Sequence, residues 1–327
     1  MFRFLVRRAL GSIVILFLLI ALTYFAFFAL PADPAQLACS KTCTPQLLEQ
    51  IRINMHLNQP LYVQFWDYLS GLVFGHNYGA DIGQCAAPCF GYSYNVHQFV
   101  WPRIASNYPA TFVLAVGGAI CFLTIGVGLG MVSAWKQGSV LDRIASSISL
   151  VGQSTQIYFL GPLAMGLFVT NLNWLPQPSY IPLTQNPWAC FMGMILPWLV
   201  MSVIFWSNYT RQVRSLMLEQ LSEDHIRAAR AKGMSSRYVW WRYALRGAMA
   251  PIITIFGIDL GAVFSGAVVT EYTFGIHGLG FLAVDSVRQS DIYLELGVLI
   301  FSAASIILFN IIVDAAYALL DPRVRLG

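Results

Sequence analysis

Residues Ser222–Pro251 read SEDHIRAARAKGMSSRYVWWRYALRGAMAP. This is a charged, helix-prone island between long apolar runs. It holds Glu223 and Asp224 and six of the 19 Lys and Arg residues, in a chain only 10% charged. A chain that keeps such a segment between apolar runs presents it to water, and the segment reads as a docking element for a cytoplasmic partner. Ser222 is the expected N-cap, with Glu223 and Asp224 at the positive end of the helix dipole. Glu223 stands four residues before Arg227, a favourable surface spacing. Ile226, Ala228 and Ala229 give a small, flat apolar face. Arg227, Arg230 and Lys232 load the other side, and Gly233 supplies a C′ stop. A second helix is expected from Ser235 through Trp240, Trp241 and Leu245 to Pro251. The competing reading is an interfacial amphipathic hairpin. Such a hairpin favours Leu and Phe on its apolar side rather than alanines.

Outward from the island the chain is apolar. Of 327 residues, 57% are hydrophobic, above the share usual in soluble domains. A membrane crossing takes about 20 mostly apolar residues. Six runs qualify: Gly11–Leu30, Ala110–Ala134, Ile144–Val169, Trp188–Trp206 (with Pro197 inside), Pro251–Val269 (with Asp259 inside) and Ile292–Leu320, which carries Glu295 and Asp314. The expected fold class is therefore an all-α polytopic membrane protein with six transmembrane helices. The first run is longer than a signal-peptide core and is read as an uncleaved signal anchor.

Lys and Arg set the orientation. With the amino terminus inside, the inner segments hold Arg3, Arg7, Arg8, Lys136, Arg143, Arg211, Arg214, Arg227, Arg230, Lys232, Arg237, Arg242, Arg246, Arg323 and Arg325. The outer segments hold Lys41, Arg52, Arg103 and Arg288. Both termini are expected to be cytoplasmic. Three regions follow: residues 1–30 as amino terminus and first span, 31–109 as an exofacial cap, and 110–327 as the membrane core with the cytoplasmic helix at 222–233.

In the cap, Leu47, Leu48, Ile51 and Met55 have helical spacing over Thr44–Leu57, entered at Thr44-Pro45. Tyr62, Phe65, Trp66, Leu69 and Val73 repeat the pattern over Gln59–Phe74 and suit an interfacial belt. The cap is read both as a cover for the first span and as a landing surface for an extracellular partner. Cys39, Cys43, Cys85 and Cys89 lie in it. Paired thiols oxidise outside the cytoplasm, so disulfides are expected, with three connectivities open. A four-thiolate metal site is the less favoured use of the same residues, because zinc sites usually show shorter spacing. Cys121 and Cys190 read as inert apolar residues. Trp135–Arg143 is a short inner loop turning at Gly138, and Pro178–Pro187 a short outer one.

No phosphate-binding loop of the G-x-x-x-x-G-K-[ST] kind occurs, and Lys41, Lys136 and Lys232 follow no glycine-rich cradle. His56, His76, His97, His225 and His277 are scattered outside any H-E-x-x-H. No catalytic residue, metal or cofactor is expected. Nor is a nucleic acid partner: the net charge is only +4. Charged residues inside spans mark function by default, which singles out Asp259 and Asp314. Both also admit a structural role in pairing with a neighbouring helix. Gly261, Ala262, Gly266 and Ala267 form a small-residue face for close helix packing. Phe274-Gly275-x-x-Gly278-x-Gly280 reads as a turn into a short helix.

Arg227-Ala228-Ala229-Arg230-Ala231-Lys232-Gly233, followed by Pro251, resembles the cytoplasmic motif of ABC importer permeases. The likeness is closest to the dipeptide/oligopeptide/nickel permease family. Asp224–Gly233, Val269–Gly280, Val313–Arg325, Arg7-Arg8 and Leu57–Leu61 all fit that family in order. Arg227 stands where the general motif has Glu, and the four cap cysteines and Asp259 are departures. The resemblance implies a coupling helix docked on an ATP-binding subunit, made of Glu223, Asp224, Ile226, Arg227, Ala228, Ala229, Arg230, Lys232 and Gly233. It implies that the fifth span helps line the pathway, with Gly261, Phe264 and Glu271 as candidate residues there beside Asp259, which its charge inside a span singles out. It implies a second permease subunit, two ATP-binding subunits, an extracellular substrate-binding protein and a peptide substrate, in a bacterial cytoplasmic membrane. Nickel complexes or oligosaccharides are alternative cargoes, and an ion-driven secondary transporter or an intramembrane enzyme the alternative classes.

Overall fold

The computed structural model describes residues 2–29, 33–38, 44–79 and 82–320. Cys39 and Cys43, expected to oxidise, lie outside these residues, as does the side chain of Asp314. Among the described residues the order is α1 (Phe2–Ala29), α2 (Pro34–Ala38), α3 (Pro45–Asn54), α4 (Leu61–Phe74), β1 (His76–Asn77), β2 (Gln84–Cys85), β3 (Tyr92–Ser93), β4 (Gln98–Phe99), α5 (Val100–Trp135), α6 (Val140–Ser154) and α7 (Ile157–Ala164). A π-helical stretch Met165–Asn171 extends α7. Then come α8 (Pro187–Ser222), α9 (Asp224–Ala231), α10 (Ser236–Val239), a second π stretch Trp240–Ala244, α11 (Leu245–Phe274), α12 (Leu279–Gln289) and α13 (Ile292–Leu320).

Among the described residues, four helical segments are long and apolar enough to cross a membrane: Arg7–Ala29, Val100–Trp135, Pro187–Ser222 and Ile292–Val313. The count rises to six if each of two bent helix pairs is one span. The expected third span differs from the structure. Ile144–Val169 is not one helix: α6 ends at Ser154, Thr155 and Gln156 are extended, and α7 starts again at Ile157. The polar Ser154-Thr155-Gln156 sequence lets side chains compete for backbone bonds. Ser154 and Thr155 hydroxyls each donate to a carbonyl four residues back.

The chain divides into two compact units. One is built from residues 2–111 and 277–308. Here α1 packs on α4 through aromatic rings: Tyr24 stacks on Phe28 at 4.4 Å and meets Tyr68 at 5.3 Å and Phe65 at 5.6 Å. The expected helices over 44–57 and 59–74 are present as α3 and α4, entered at Pro45 and Leu61. Two short antiparallel ladders, which the all-helical expectation did not include, pair His76 with Cys85 and Tyr92 with Phe99. A disulfide joins Cys85 to Cys89, one of the pairings left open by the sequence. Asp291, 3% exposed, caps α13 by accepting from Leu294 N at 3.2 Å and from the Ser93 hydroxyl.

The other unit comprises the described parts of 112–276 and 309–327. α6 and α11 both pack on α8, and α11 also on α7. Glycines bring α5 against α8. A methyl group added at Gly130 would stand 2.7 Å from Val213 Cβ and 2.8 Å from the Thr210 carbonyl oxygen. One added at Gly126 would stand 2.6 Å from Tyr209 Cβ. Trp198 Nε1 donates to the Val113 carbonyl at 3.1 Å, tying the same two helices.

Candidate functional site

The charged island folds as a short helix, a left-handed turn and a rising helix. α9 is entered from Glu223, which is extended and gives no side-chain cap. The expected N-cap, Ser222, instead closes α8, its hydroxyl donating to the Glu219 carbonyl at 2.7 Å. Arg227 reaches Asp224 at 3.5 Å, three residues back, rather than Glu223. The C-terminal end matches the expectation. Gly233 sits at φ +80, Met234 N donates to Ala229 O, and Gly233 N donates to Arg230 O. That pair of bonds is the Schellman closure, which satisfies carbonyls the helix leaves open.

The structure divides the residues assigned to the coupling surface. Ile226 and Ala229 are buried in this chain, at 0% and 5% exposure, as α9 packs on α8 and α10. The apolar face therefore anchors the helix to its own scaffold. It is not the face open to a partner. An apolar pair on a short helix satisfies the hydrophobic effect equally well against its own chain, and periodicity alone does not choose. Exposed to solvent are Glu223, Asp224, Arg227, Ala228, Arg230, Lys232 and Gly233.

Beside α9, a groove of about 820 Å³ is lined by Trp135, Lys136, Leu218, Arg230, Ser236 and Trp240, among others. Elsewhere in the same unit the helices are braced by an ion pair that sequence reading missed. Arg214 grips Asp142 in a two-pronged contact, Nε to Oδ1 at 2.7 Å and Nη2 to Oδ2 at 2.8 Å. The Ser133 hydroxyl and Gly138 N also donate to Asp142. The bonds from Arg214, then Ser133 and Gly138, hold this carboxyl below the usual carboxylate range. One side chain thus ties α5, the Gly138 turn, α6 and α8. Asp142 and Arg214 are 72 residues apart, and only the presence of a lone acid after a turn glycine hinted at it.

The expected pathway residues lie along α11. Gly261, Phe264 and Glu271 are buried within the chain, and Asp259 is half-buried. Phe264 stacks on Phe309 at 4.1 Å. Asp259 stands in electrostatic range of Tyr209 on α8, whose hydroxyl is buried. α11 ends at Gly275, φ +67, and α12 follows from Gly278, as the turn-into-helix reading has it.

Two family models match the chain. One, described as the N-terminal part of a binding-protein-dependent transport system membrane component, matches residues 1–115. The other, the binding-protein-dependent transport system inner membrane component, matches residues 126–326. A probable peptide ABC transporter permease of Sinorhizobium fredii is 32% identical over 322 residues, covering 98% of this chain and 99% of that protein. The glutathione transport system permease protein GsiC of Escherichia coli is 32% identical over 326 residues, 99% of each. A putative peptide transport system permease of Brucella abortus is 31% identical over 319 residues, 98% of each. Among solved structures, the MetNI methionine ABC transporter in an inward-facing conformation has a TM-score of 0.50 at 17% identity, over 68% of this chain and 94% of that one. At that identity the likeness is one of fold.

Proposed function

The chain belongs to the family of binding-protein-dependent transport system inner membrane components, and from that membership we propose that it is one permease subunit of an ATP-driven importer of di- and oligopeptides. The peptide and glutathione transport named for its full-length relatives supports that cargo over nickel complexes or oligosaccharides. The chain itself catalyses nothing; ATP hydrolysis belongs to separate subunits. A second permease, two ATP-binding subunits and an extracellular binding protein complete the assembly. It lies in the bacterial cytoplasmic membrane, crossing six times with both termini inside and residues 31–109 outside.

The observation that carries this reading is α9. Its apolar pair is spent on its own scaffold, and its charged side stands in water beside a groove, as a contact with another subunit requires. Closure of the ATP-binding subunits pushes on Arg227, Ala228 and Arg230, and the anchored Ile226 and Ala229 pass the motion to α8. Asp259 is a polar group of the pathway helix held near Tyr209.

The test is uptake of labelled di- to hexapeptides by the full complex reconstituted in vesicles. Peptide accumulates only with ATP, and Ala228→Trp abolishes accumulation while the permease remains folded. Ion-driven uptake without ATP, or full activity of the Ala228→Trp complex, overturns the reading.

A further inference from the structure

Helix α4 carries a single charged residue, Asp67, and its exposed side chains fall on one stripe. Tyr62, Trp66 and Val73 recur at helical spacing and are 64%, 57% and 62% exposed, and Phe74 at the end of the helix is 84% exposed. The polar side chains of α4 are kept off this stripe or satisfied on it. Gln64 is buried and donates from Nε2 to the Gln59 carbonyl at 2.7 Å. Asp67 is half-buried and lines a small cavity with His56 and His76. Ser70, on the stripe, donates its hydroxyl to the Asp67 carbonyl at 2.9 Å. The neighbouring α3 is built the other way, with Glu49 and Arg52 paired on its exposed side at 3.8 Å.

Where the stripe lies follows from α1. Phe65 meets the rings of Phe17 at 6.0 Å and Tyr24 at 5.6 Å and stacks on Phe25 at 5.4 Å. Trp66 meets Phe17 at 6.3 Å. The midpoint between Phe17 and Phe25 is Ala21, which is about eight residues, or roughly 12 Å at 1.5 Å per residue, short of the end of α1 at Ala29. A helix tilt of about 20° changes this depth little. The segment Arg7–Ala29 is long and apolar enough to cross a membrane, and it has no charged residue after Arg8. A hydrocarbon core is about 30 Å thick, so each leaflet takes about half of that. The middle of α4 therefore stands at the depth of acyl chains, below the headgroups.

The surface around the stripe agrees. On α1, Ile13, Val14, Phe17, Leu18 and Leu22 are exposed, and the contact of Phe17 with Trp66 joins that apolar face to the one on α4. The footprint of a soluble partner has a polar rim. This stripe runs instead into more apolar surface, and a soluble protein would have to enter the bilayer to reach Trp66.

We propose that α4 is a half-inserted helix whose Tyr62, Trp66, Val73 and Phe74 side chains pack against phospholipid acyl chains, in the leaflet around the C-terminal half of α1. Hydrocarbon requires backbone groups to be satisfied internally, and α4 is helical from Leu61 to Phe74 and closes with Gly75 N donating to the Gly71 carbonyl at 2.9 Å. The helix enters and leaves on one side, so the number of crossings is unaffected. This placement rests on α1 as a span and not on the peptide cargo.

The test uses the full chain in membranes of cells that also make its partner subunits. The photoreactive residue p-benzoylphenylalanine replaces Tyr62, Trp66 or Val73, one at a time, with Leu22 as the lipid-facing reference and Asn77 as the exposed loop reference. Irradiation and mass spectrometry give phospholipid adducts at the three stripe positions and at Leu22, and none at Asn77. Fluorescence reports independently: in nanodiscs, lipids brominated along the acyl chain quench the parent more than Trp66→Phe, whereas aqueous iodide quenches both alike. Where a photoreactive variant does not fold, the fluorescence difference decides alone. Protein adducts in place of lipid at the stripe, whether from a second copy, another permease or an extracellular binding protein, overturn the proposal and assign the stripe to that partner. Iodide quenching that is lost in Trp66→Phe, with brominated chains acting equally on both proteins, overturns it as well. No outcome depends on uptake, so failure of the transport reading leaves this result separate.

Discussion

At Gly233 the backbone turns at φ +80 and a methyl group added there meets nothing within 4 Å. The obstacle to substitution is therefore conformational alone, roughly 1–2 kcal/mol for a non-glycine residue. Gly233→Ala is expected to loosen the end of α9, lowering ATP-coupled uptake severalfold with little change in the global unfolding midpoint. Rates of uptake and of ATP hydrolysis by the full complex separate the two effects. Asp142 is the opposite case, constrained by partners. Asp142→Asn leaves the guanidinium of Arg214, 30% exposed, without its anion and costs about 2 kcal/mol. The pH dependence follows from the lowered carboxyl. The unfolded chain takes up the proton first as pH falls, so the stabilisation is full above the ordinary value of 3.8 and lost progressively below it. Thermal unfolding of parent and variant at neutral pH and near pH 3 checks this: the gap between them narrows in acid.

Among elements, α5 depends on small residues where it meets α8. Gly130→Leu forces a side chain into Val213 and the Thr210 carbonyl, and overpacking of this kind costs about 1–3 kcal/mol. The unfolding midpoint of the purified chain should fall, whereas Gly128→Leu, with nothing within 4 Å, should leave it nearly unchanged. Which features the sequence disclosed follows from the range of the forces involved. The turns at Gly138, Gly233 and Gly275 were legible because each is a local backbone demand, met at φ +78, +80 and +67. The start of α3 was legible from Thr44-Pro45 for the same reason. The Asp142–Arg214 brace was not, since it joins positions far apart. Nor was the inward facing of Ile226 and Ala229, because an apolar face does not say which surface covers it. The break in the third apolar run is marked only by Ser154-Thr155-Gln156, too few residues to alter a window long enough to suggest a span.

For the whole molecule, that break decides the topology. If the run from α6 to Asn171 does not cross, the loop before Pro187 stays on the side of Gly138 and every later segment changes sides. α6 has 15 residues, and α7 with its π extension runs from Ile157 to Asn171. At about 1.5 Å per residue each half spans roughly 22 Å, short of a hydrocarbon core of about 30 Å, while the two in series exceed it. A crossing therefore requires both halves and places the extended Thr155-Gln156 pair within the membrane, where irregular backbone is tolerated only when protein or water covers it. α8 and α11 supply such cover by packing on α6 and α7, and Gln153 Nε2 donates to Asn208 Oδ1 at 2.8 Å on the α8 side. The charge asymmetry agrees: Lys136 and Arg143 precede the run, and no Lys or Arg falls between it and Pro187. Green fluorescent protein fused after Gly138 should fluoresce and alkaline phosphatase there should be silent. Fusions after Gln177 should give the reverse. The same reporter active at both positions means that the broken run does not cross, which would reverse the side assigned to α9 and with it the coupling role.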